Sequence, residues 1–318
     1  MSAAAPETAV RLRVAVSGAT GLVGRALVPA LRAAGHRVDR ISRRPPEAGS
    51  TDIQWDPARG WLDPLALEGV DAVVHLAGER IGTLRWTASV KERIRRSRVD
   101  GTRLLSKTLG ALARRPRVLV SVSAVGYYGD RGEAPLTEES APGSGFLADV
   151  CQEWEAAADS ARAAGIRVVT PRLGVVLAGQ GGALPRMALP FRLGAGGVIG
   201  DGRQYWSWIG IGDLVRVIEL CLALDTLAGP VNAVAPAPAT NREFTRTLGR
   251  VLGRPTLVPL PAFAVRVLFG EMGRALLLDS ARVLPRRLEG AGFRFWHPGL
   301  EDALRAALAR SLRRDGPG

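Results

Sequence analysis

Lysine is almost missing from this chain. Of 43 basic residues only Lys91 and Lys107 are lysine, and the arginines that make up the rest are spread over every segment. Cysteine is as scarce: Cys151 and Cys221, with three histidines, offer neither a disulfide framework nor a metal-binding cluster. No resident metal and a reducing, cytoplasmic setting are the expectations that follow. No apolar run reaches the roughly 18 residues that suggest a membrane span. Residues 1–8 have neither a basic start nor an apolar stretch, so they read as a loose tail and not as a signal peptide. Aromatic residues make up 5% of the chain, and none is interleaved with the one dense basic stretch at 91–98, where base stacking would need them. The net charge of +13 therefore reads as dispersed arginine on solvated faces, and nucleic-acid binding is not expected.

The 318 residues, 47% hydrophobic, suffice for one large α/β domain and a smaller lobe. The most informative stretch is Ser17-Gly18-Ala19-Thr20-Gly21-Leu22-Val23-Gly24. It follows an alternating apolar run at 10–16 and precedes apolar residues at helical spacing as far as Gly35, so the context is strand, glycine turn, helix. Each glycine has a physical role in a loop that wraps a dinucleotide pyrophosphate. Gly18 permits the sharp turn, Gly21 lets backbone approach the phosphates, and Gly24 lets helix and strand pack closely. The helix N-terminus adds N–H donors and a positive dipole end, while Pro29 interrupts the helical pattern.

Strand-like segments at 38–42, 52–55, 71–76, 118–123 and 167–172 alternate with helical ones, notably 88–112 and 149–164. That alternation predicts an α/β fold with a doubly wound, Rossmann-like parallel sheet. Asp213 reads as the N-cap of a helix over 214–224, and a Pro/Ala link at 236–238 leads into a mainly helical tail to Arg313. The division expected is a nucleotide-binding domain over 10–235 and a C-terminal substrate lobe over 236–318, with 186–205 contributing to the lobe.

At the end of the second strand, where an acidic residue would accept bonds from a ribose 2′-hydroxyl, the chain reads Ser42-Arg43-Arg44. A hydroxyl and a guanidinium suit a 2′-phosphate, so NADP is expected in place of NAD. After the fourth strand, Leu76, Ala77 and Gly78 present small or apolar residues where backbone can pass close to the cofactor. His75 reads as a strand residue with a satisfied ring. Glu79 borders the same loop. Ser123, Tyr127 and Tyr128 follow the fifth strand, where a substrate oxygen would lie.

These pieces, with Gly101-Thr102, Arg172-Leu173-Gly174-Val175-Val176 and the segment 208–213, resemble the extended short-chain dehydrogenase/reductase superfamily over nearly the whole length. Trp154-Glu155 and the stretch 191–209, Phe-Arg-Leu-Gly-Ala-Gly-Gly through Trp-Ile, resemble more narrowly its atypical, epimerase-family branch of NADP-dependent oxidoreductases with a C-terminal domain of unknown function. The resemblance implies cofactor contacts at the glycine turn, at Arg98 and at Val176. It also implies a Tyr-x-x-x-Lys pair with tyrosine as acid/base and lysine lowering its pKa. Here Leu147 and Cys151 stand at those two places, and both lysines lie upstream. Arg98 stands where the superfamily has a proton-relaying asparagine. A tyrosine near pKa 10 without such a lysine is ionised in about one molecule in a thousand at pH 7, so Tyr127 or Tyr128 is a proton donor before it is a base. Two functions stay open: an NADP-dependent oxidoreductase or nucleoside-sugar-epimerase-like enzyme acting on a small molecule, and an NADP(H)-binding sensor that works through partners. Cys151, Trp206 and Trp208 read as core or pocket wall.

Overall fold

The computed structural model describes residues 11–82 and 85–312, with side chains through 309. The expected tail at 1–8, the start of the first strand at Val10 and the end of the last helical segment at Arg313 fall outside the described residues. The chain opens with β1 (Arg13–Ser17), α1 (Leu22–Ala33), β2 (Arg37–Ser42), β3 (Ile53–Asp56), β4 (Trp61–Leu62), α2 (Pro64–Leu67) and β5 (Ala72–His75). It continues with α3 (Ala88–Ala111), β6 (Val118–Ser121), β7 (Ser123–Ala124), α4 (Phe146–Ala156) and α5 (Asp159–Ala163).

β1 lies between β2 and β5, all parallel, with Val14 opposite both Val38 and Ala72. The chain winds outward from β1 through β2 to β3 and the antiparallel edge strand β4. It then returns to set β5 on the other side of β1 and proceeds through β6, Arg167–Leu173 and Gly229–Ala233. This reversal between β1 and β5 is a topological switch point, and its carboxyl edge is where such sheets hold ligands.

Strand periodicity explains the two-sided core. Val14 and Val16 of β1 join Leu27 and Leu31 of α1 and Leu214, Val217 and Ile218 of the Ile211–Ala223 helix on one face. Ala15, between them, faces the other side with Leu105 and Leu109 of α3 and Ala161 of α5. A third cluster forms the smaller lobe from Leu184 and Phe191, Trp206 and Trp208, Phe244 and Leu248, and Leu304 and Leu308. Two short strand pairs add to the lobe, Tyr205–Trp206 with Ala239–Thr240 and Arg282–Val283 with Pro135–Leu136.

Several boundaries differ from the sequence expectation for identifiable reasons. The strand expected over 118–123 divides, because Ser123–Ala124 shifts sideways to pair with Arg172 and Leu173. The helix expected over 149–164 begins at Phe146 and breaks between Ala156 and Asp159. α1 runs through Pro29, which sits on its exposed side. Asp213 is not an N-cap: the helix starts at Ile211 after Gly210, and the buried Asp213 carboxylate accepts from the backbone N–H of Trp296 (2.7 Å) and His297 (3.1 Å). A tertiary demand for acceptors at a loop 83 residues away outcompeted the local capping role.

Candidate dinucleotide and substrate site

Gly18 leaves β1 with φ +67°, and a Cβ there would lie 2.7 Å from the carbonyl carbon of Leu76. Only glycine meets both conditions, so the turn and the end of β5 can touch. Gly24 is as constrained, since its Cβ would stand 2.4 Å from the Gly18 oxygen. Gly21 is the N-cap of α1 and provides no side-chain cap, and the first turn carries no acidic residue. The N–H groups of Leu22, Val23 and Gly24 are thus left for an acceptor from outside the helix. Thr20 is exposed at the mouth of this turn.

A hydrogen bond locks β1 to β5 beneath the turn. Ser17 Oγ lies 2.6 Å from His75 Nδ1 and also accepts from the Leu76 N–H at 3.2 Å. Burial holds the His75 pKa down at about 4, so the ring is neutral, and its Nε2 has no partner among the described residues. The satisfied ring expected from the sequence is therefore satisfied on one nitrogen. Trp55 packs edge-on to His75 at 5.8 Å, and Gly101 gives both rings room against α3. Neither contact was legible from local sequence.

At the end of β2 the Ser42 hydroxyl accepts from the Arg44 N–H at 2.9 Å, making a local turn that leaves Arg43 exposed. Leu76 and Ala77 are half-buried beside Gly18, and Gly78 is exposed. Arg98 lies under the Gly78 loop, donating to the carbonyls of Glu79 (3.0 Å) and Ile94 (3.2 Å) and stacking on Trp154 at 5.1 Å. Burial lowers its pKa, yet a guanidinium stays charged. Val176, half-buried, pairs with Ile209 across a short two-stranded ladder.

Ser123, Tyr127 and Tyr128 come together past β6, two strands from β1 or about 10 Å across the sheet edge. Their environments differ. Ser123 is buried, and its Oγ meets no oxygen or nitrogen partner among the described residues, its polar neighbour being the Cys151 thiol. Tyr127 is half-buried, with the Arg172 guanidinium 3.4 Å from its ring centroid. Tyr128 has no exposed surface; its hydroxyl donates to Asn232 Oδ1 at 2.7 Å and accepts from Arg172 at 2.9 Å. No ligand reaches that hydroxyl in this conformation, and its part is to hold Arg172. Glu155 completes the network with two bonds to Arg172, both 2.8 Å. Sequence reading singled out Arg172 and Glu155 separately and missed the pair, since nothing local links the residues.

Cys151 is buried next to Ser123. Desolvation first and the nearby Glu155 second push its thiol up to about 11, so it is a neutral wall of the site. Leu147 packs against Gly126 on the same helix face. Lys91 is half-exposed, 2.9 Å from Glu271. Arg93, Arg95, Arg96 and Arg103 of α3 likewise pair with carboxylates.

The comparisons with known proteins agree with this geometry. Residues 14–232 match the NAD dependent epimerase/dehydratase family, and residues 260–307 match a domain of unknown function (DUF1731). The chain is 46% identical over 297 residues to the epimerase family protein Mb2239 of Mycobacterium bovis, covering 93% of this chain and 98% of that protein. It resembles the crystal structure of human epimerase family protein SDR39U1 (isoform 2) with NADPH, with a TM-score of 0.84, 38% identity, and coverage of 94% of this chain and 99% of that one. It also resembles a nucleoside-diphosphate sugar epimerase from Corynebacterium glutamicum, with a TM-score of 0.79, 37% identity, and coverage of 95% of this chain and 59% of that one. No helix among the described residues is long and apolar enough to cross a membrane. The turn at Gly18, the switch point beside it and these matches together place the chain in the NAD dependent epimerase/dehydratase family, within its extended short-chain dehydrogenase/reductase type.

Proposed function

We propose that this chain binds NADP(H) and acts as an oxidoreductase or epimerase-like enzyme on a small molecule. The residues present fit the dinucleotide: Gly18, Gly21 and Gly24 let the turn fold tightly on itself and on the end of β5, and the first turn of α1 supplies unpaired N–H groups. The exposed Arg43 stands where an acidic residue would favour a free ribose hydroxyl, and with Ser42 it supports the 2′-phosphorylated form. The human relative crystallised with NADPH supports the same choice. When bound, the nicotinamide supplies hydride transfer, and the protein's part is to bind, orient and exclude water.

The observation that carries the catalytic reading is the buried hydroxyl of Ser123, which meets no oxygen or nitrogen partner among the described residues and lies four positions before the half-buried Tyr127. A buried hydroxyl without a partner costs about 1–3 kcal/mol, and a substrate oxygen accepting from Ser123 would relieve that cost. Tyr127, its ring fixed on Arg172, makes no side-chain hydrogen bond among the described residues and is the second donor. Leu147 and Cys151 of α4 present no cation to it, and the guanidinium that touches its ring is that of Arg172, which Glu155 holds in place. The pair is therefore read as two hydroxyl donors that polarise a substrate oxygen.

The experiment is nicotinamide-linked turnover against a carbonyl and sugar-nucleotide panel. Ser123→Ala and Tyr127→Phe are expected to lower turnover by about 10²-fold or more while leaving NADPH affinity unchanged. Full activity in both variants removes these residues from the mechanism. The loss of the tyrosine–lysine pair favours a second reading, an NADP(H)-binding sensor acting through partners. Tight NADPH binding with no turnover on any member of the panel would select it. Arg43→Ala tests the cofactor assignment separately; unchanged discrimination between NADPH and NADH would remove the 2′-phosphate contact.

A further inference from the structure

The helix Ala262–Gly273 is apolar on every side, with Arg266 and Glu271 its only charged residues. Val265 and Met272 turn inward and are buried, while Phe263 and Val267, one turn apart, are 69% and 65% exposed, and Leu268 is exposed beside them. A helix of this kind is normally covered all round. Here the chain covers one face only. The exposed apolar surface begins just before the helix, at Leu257 and Val258, where the Val258 N–H donates to the Gly196 carbonyl (3.1 Å), three residues past the exposed Leu193. Of the ten large apolar side chains exposed among the described residues, seven fall within 189–193 and 257–268. Single exposed leucines are ordinary on a protein surface, and such clustering is not.

Charge around this surface has one sign. Neither 160–200 nor 244–270 contains an aspartate or glutamate, whereas Arg192, Arg254 and Arg266 are exposed and form no ion pair among the described residues. Glu271, at the far end of the helix, is already held by Lys91 at 2.9 Å.

We propose that the Ala262–Gly273 helix and the adjoining 257–258 segment dock on an anionic lipid surface, with Phe263 and Val267 entering the acyl boundary and Arg254 and Arg266 meeting headgroup phosphates. The contact is peripheral, since no helix among the described residues is long and apolar enough to cross a bilayer. It is independent of the cofactor and catalytic readings. Two features select lipid over protein. A second copy of this chain, meeting the same face, would set arginine against arginine with no carboxylate between them. Pro255, Pro259 and Pro261 lack backbone donors, and the N–H groups of Val258 and Leu260 are taken by Gly196 and Val198 (3.1 and 2.8 Å), so the segment offers no edge for a peptide strand. A bilayer asks for none.

The test floats the full chain with vesicles of phosphatidylcholine alone, or with about one-third phosphatidylglycerol, at low and at high salt. Binding is expected to the anionic vesicles and should weaken as salt screens the arginines. Phe263→Ala combined with Val267→Ala should reduce it about ten-fold or more, and Arg266→Gln about five-fold. Leu65→Ala, which removes an exposed leucine from the nucleotide-binding domain, should leave it unchanged. All are surface changes, so melting temperatures should match that of the parent. No binding to anionic vesicles overturns the proposal, as does binding that the Phe263 and Val267 double variant retains or that Leu65→Ala lowers equally. Dimerisation in sedimentation velocity without lipid, abolished by the same double variant, assigns the face to a second copy and overturns it too.

Discussion

Replacing His75 by glutamine removes a buried titratable ring while keeping a side chain that can meet the Ser17 hydroxyl. In the folded chain the ring is wholly buried and burial lowers its pKa from 6.5 to about 4. A base whose folded pKa is depressed contributes stability that is complete above the unfolded pKa and is lost as pH falls toward the folded one. Between those values the unfolded chain binds the proton and the folded chain does not, so stability rises with pH. Taking the two pKa values at face value, the loss between about pH 7.5 and about pH 5 is about 2 kcal/mol, and it approaches about 3 kcal/mol below pH 4. The assay is urea unfolding of parent and His75→Gln at several pH values, with the difference between the two curves as the readout. Carboxylates titrate alike in both proteins and cancel in that difference. The parent is expected to lose about 2 kcal/mol more than the variant on acidification to pH 5. A flat difference would refute the reasoning, because it would mean that the ring accepts a proton while folded.

The remaining predictions concern the turn, the ion pair and the thiol. Glu155→Gln leaves the almost fully buried Arg172 without its counter-charge and is expected to cost about 2–4 kcal/mol in urea unfolding, with Arg172→Lys no rescue because the two-pronged contact is lost. A change under 0.5 kcal/mol would mean that solvent already screens the pair. Gly18→Ala forces a side chain into a φ of +67° and to 2.7 Å from Leu76, so it should lower the melting temperature and abolish NADPH binding together. Binding that survives would show that the turn yields without disturbing the cofactor. Cys151, with its thiol pushed up to about 11, should resist iodoacetamide near pH 8 in the folded chain and react once urea unfolds it.

Most of the sheet was legible because its signals are local. β2, β5 and the strand at 167 were expected within a residue or two, since apolar runs bounded by turn residues carry their own period. The last parallel strand, Gly229–Ala233, was not, because five residues that include Gly229 and Pro230 look like a linker until Arg167–Leu173 pairs with them. The failed N-cap at Asp213 has the same origin: the competing donors on Trp296 and His297 are far along the chain.

What the sequence determined by itself was the strand–turn–helix that holds a dinucleotide, because glycine spacing and side-chain period act within one turn of chain. It also determined that none of the three tyrosines has a lysine four positions on, since that is a matter of identity alone. Tertiary structure decided what the remaining polar residues do. Ser17 meets His75 across 58 residues, Tyr128 meets Asn232 across 104, and Glu155 reaches Arg172 from a separate helix. No periodicity encodes such pairs, because burial selects them only after the sheet has brought its strand ends together. The buried hydroxyl of Ser123 became visible in the same way, as a donor to which the fold gives no oxygen or nitrogen partner among the described residues.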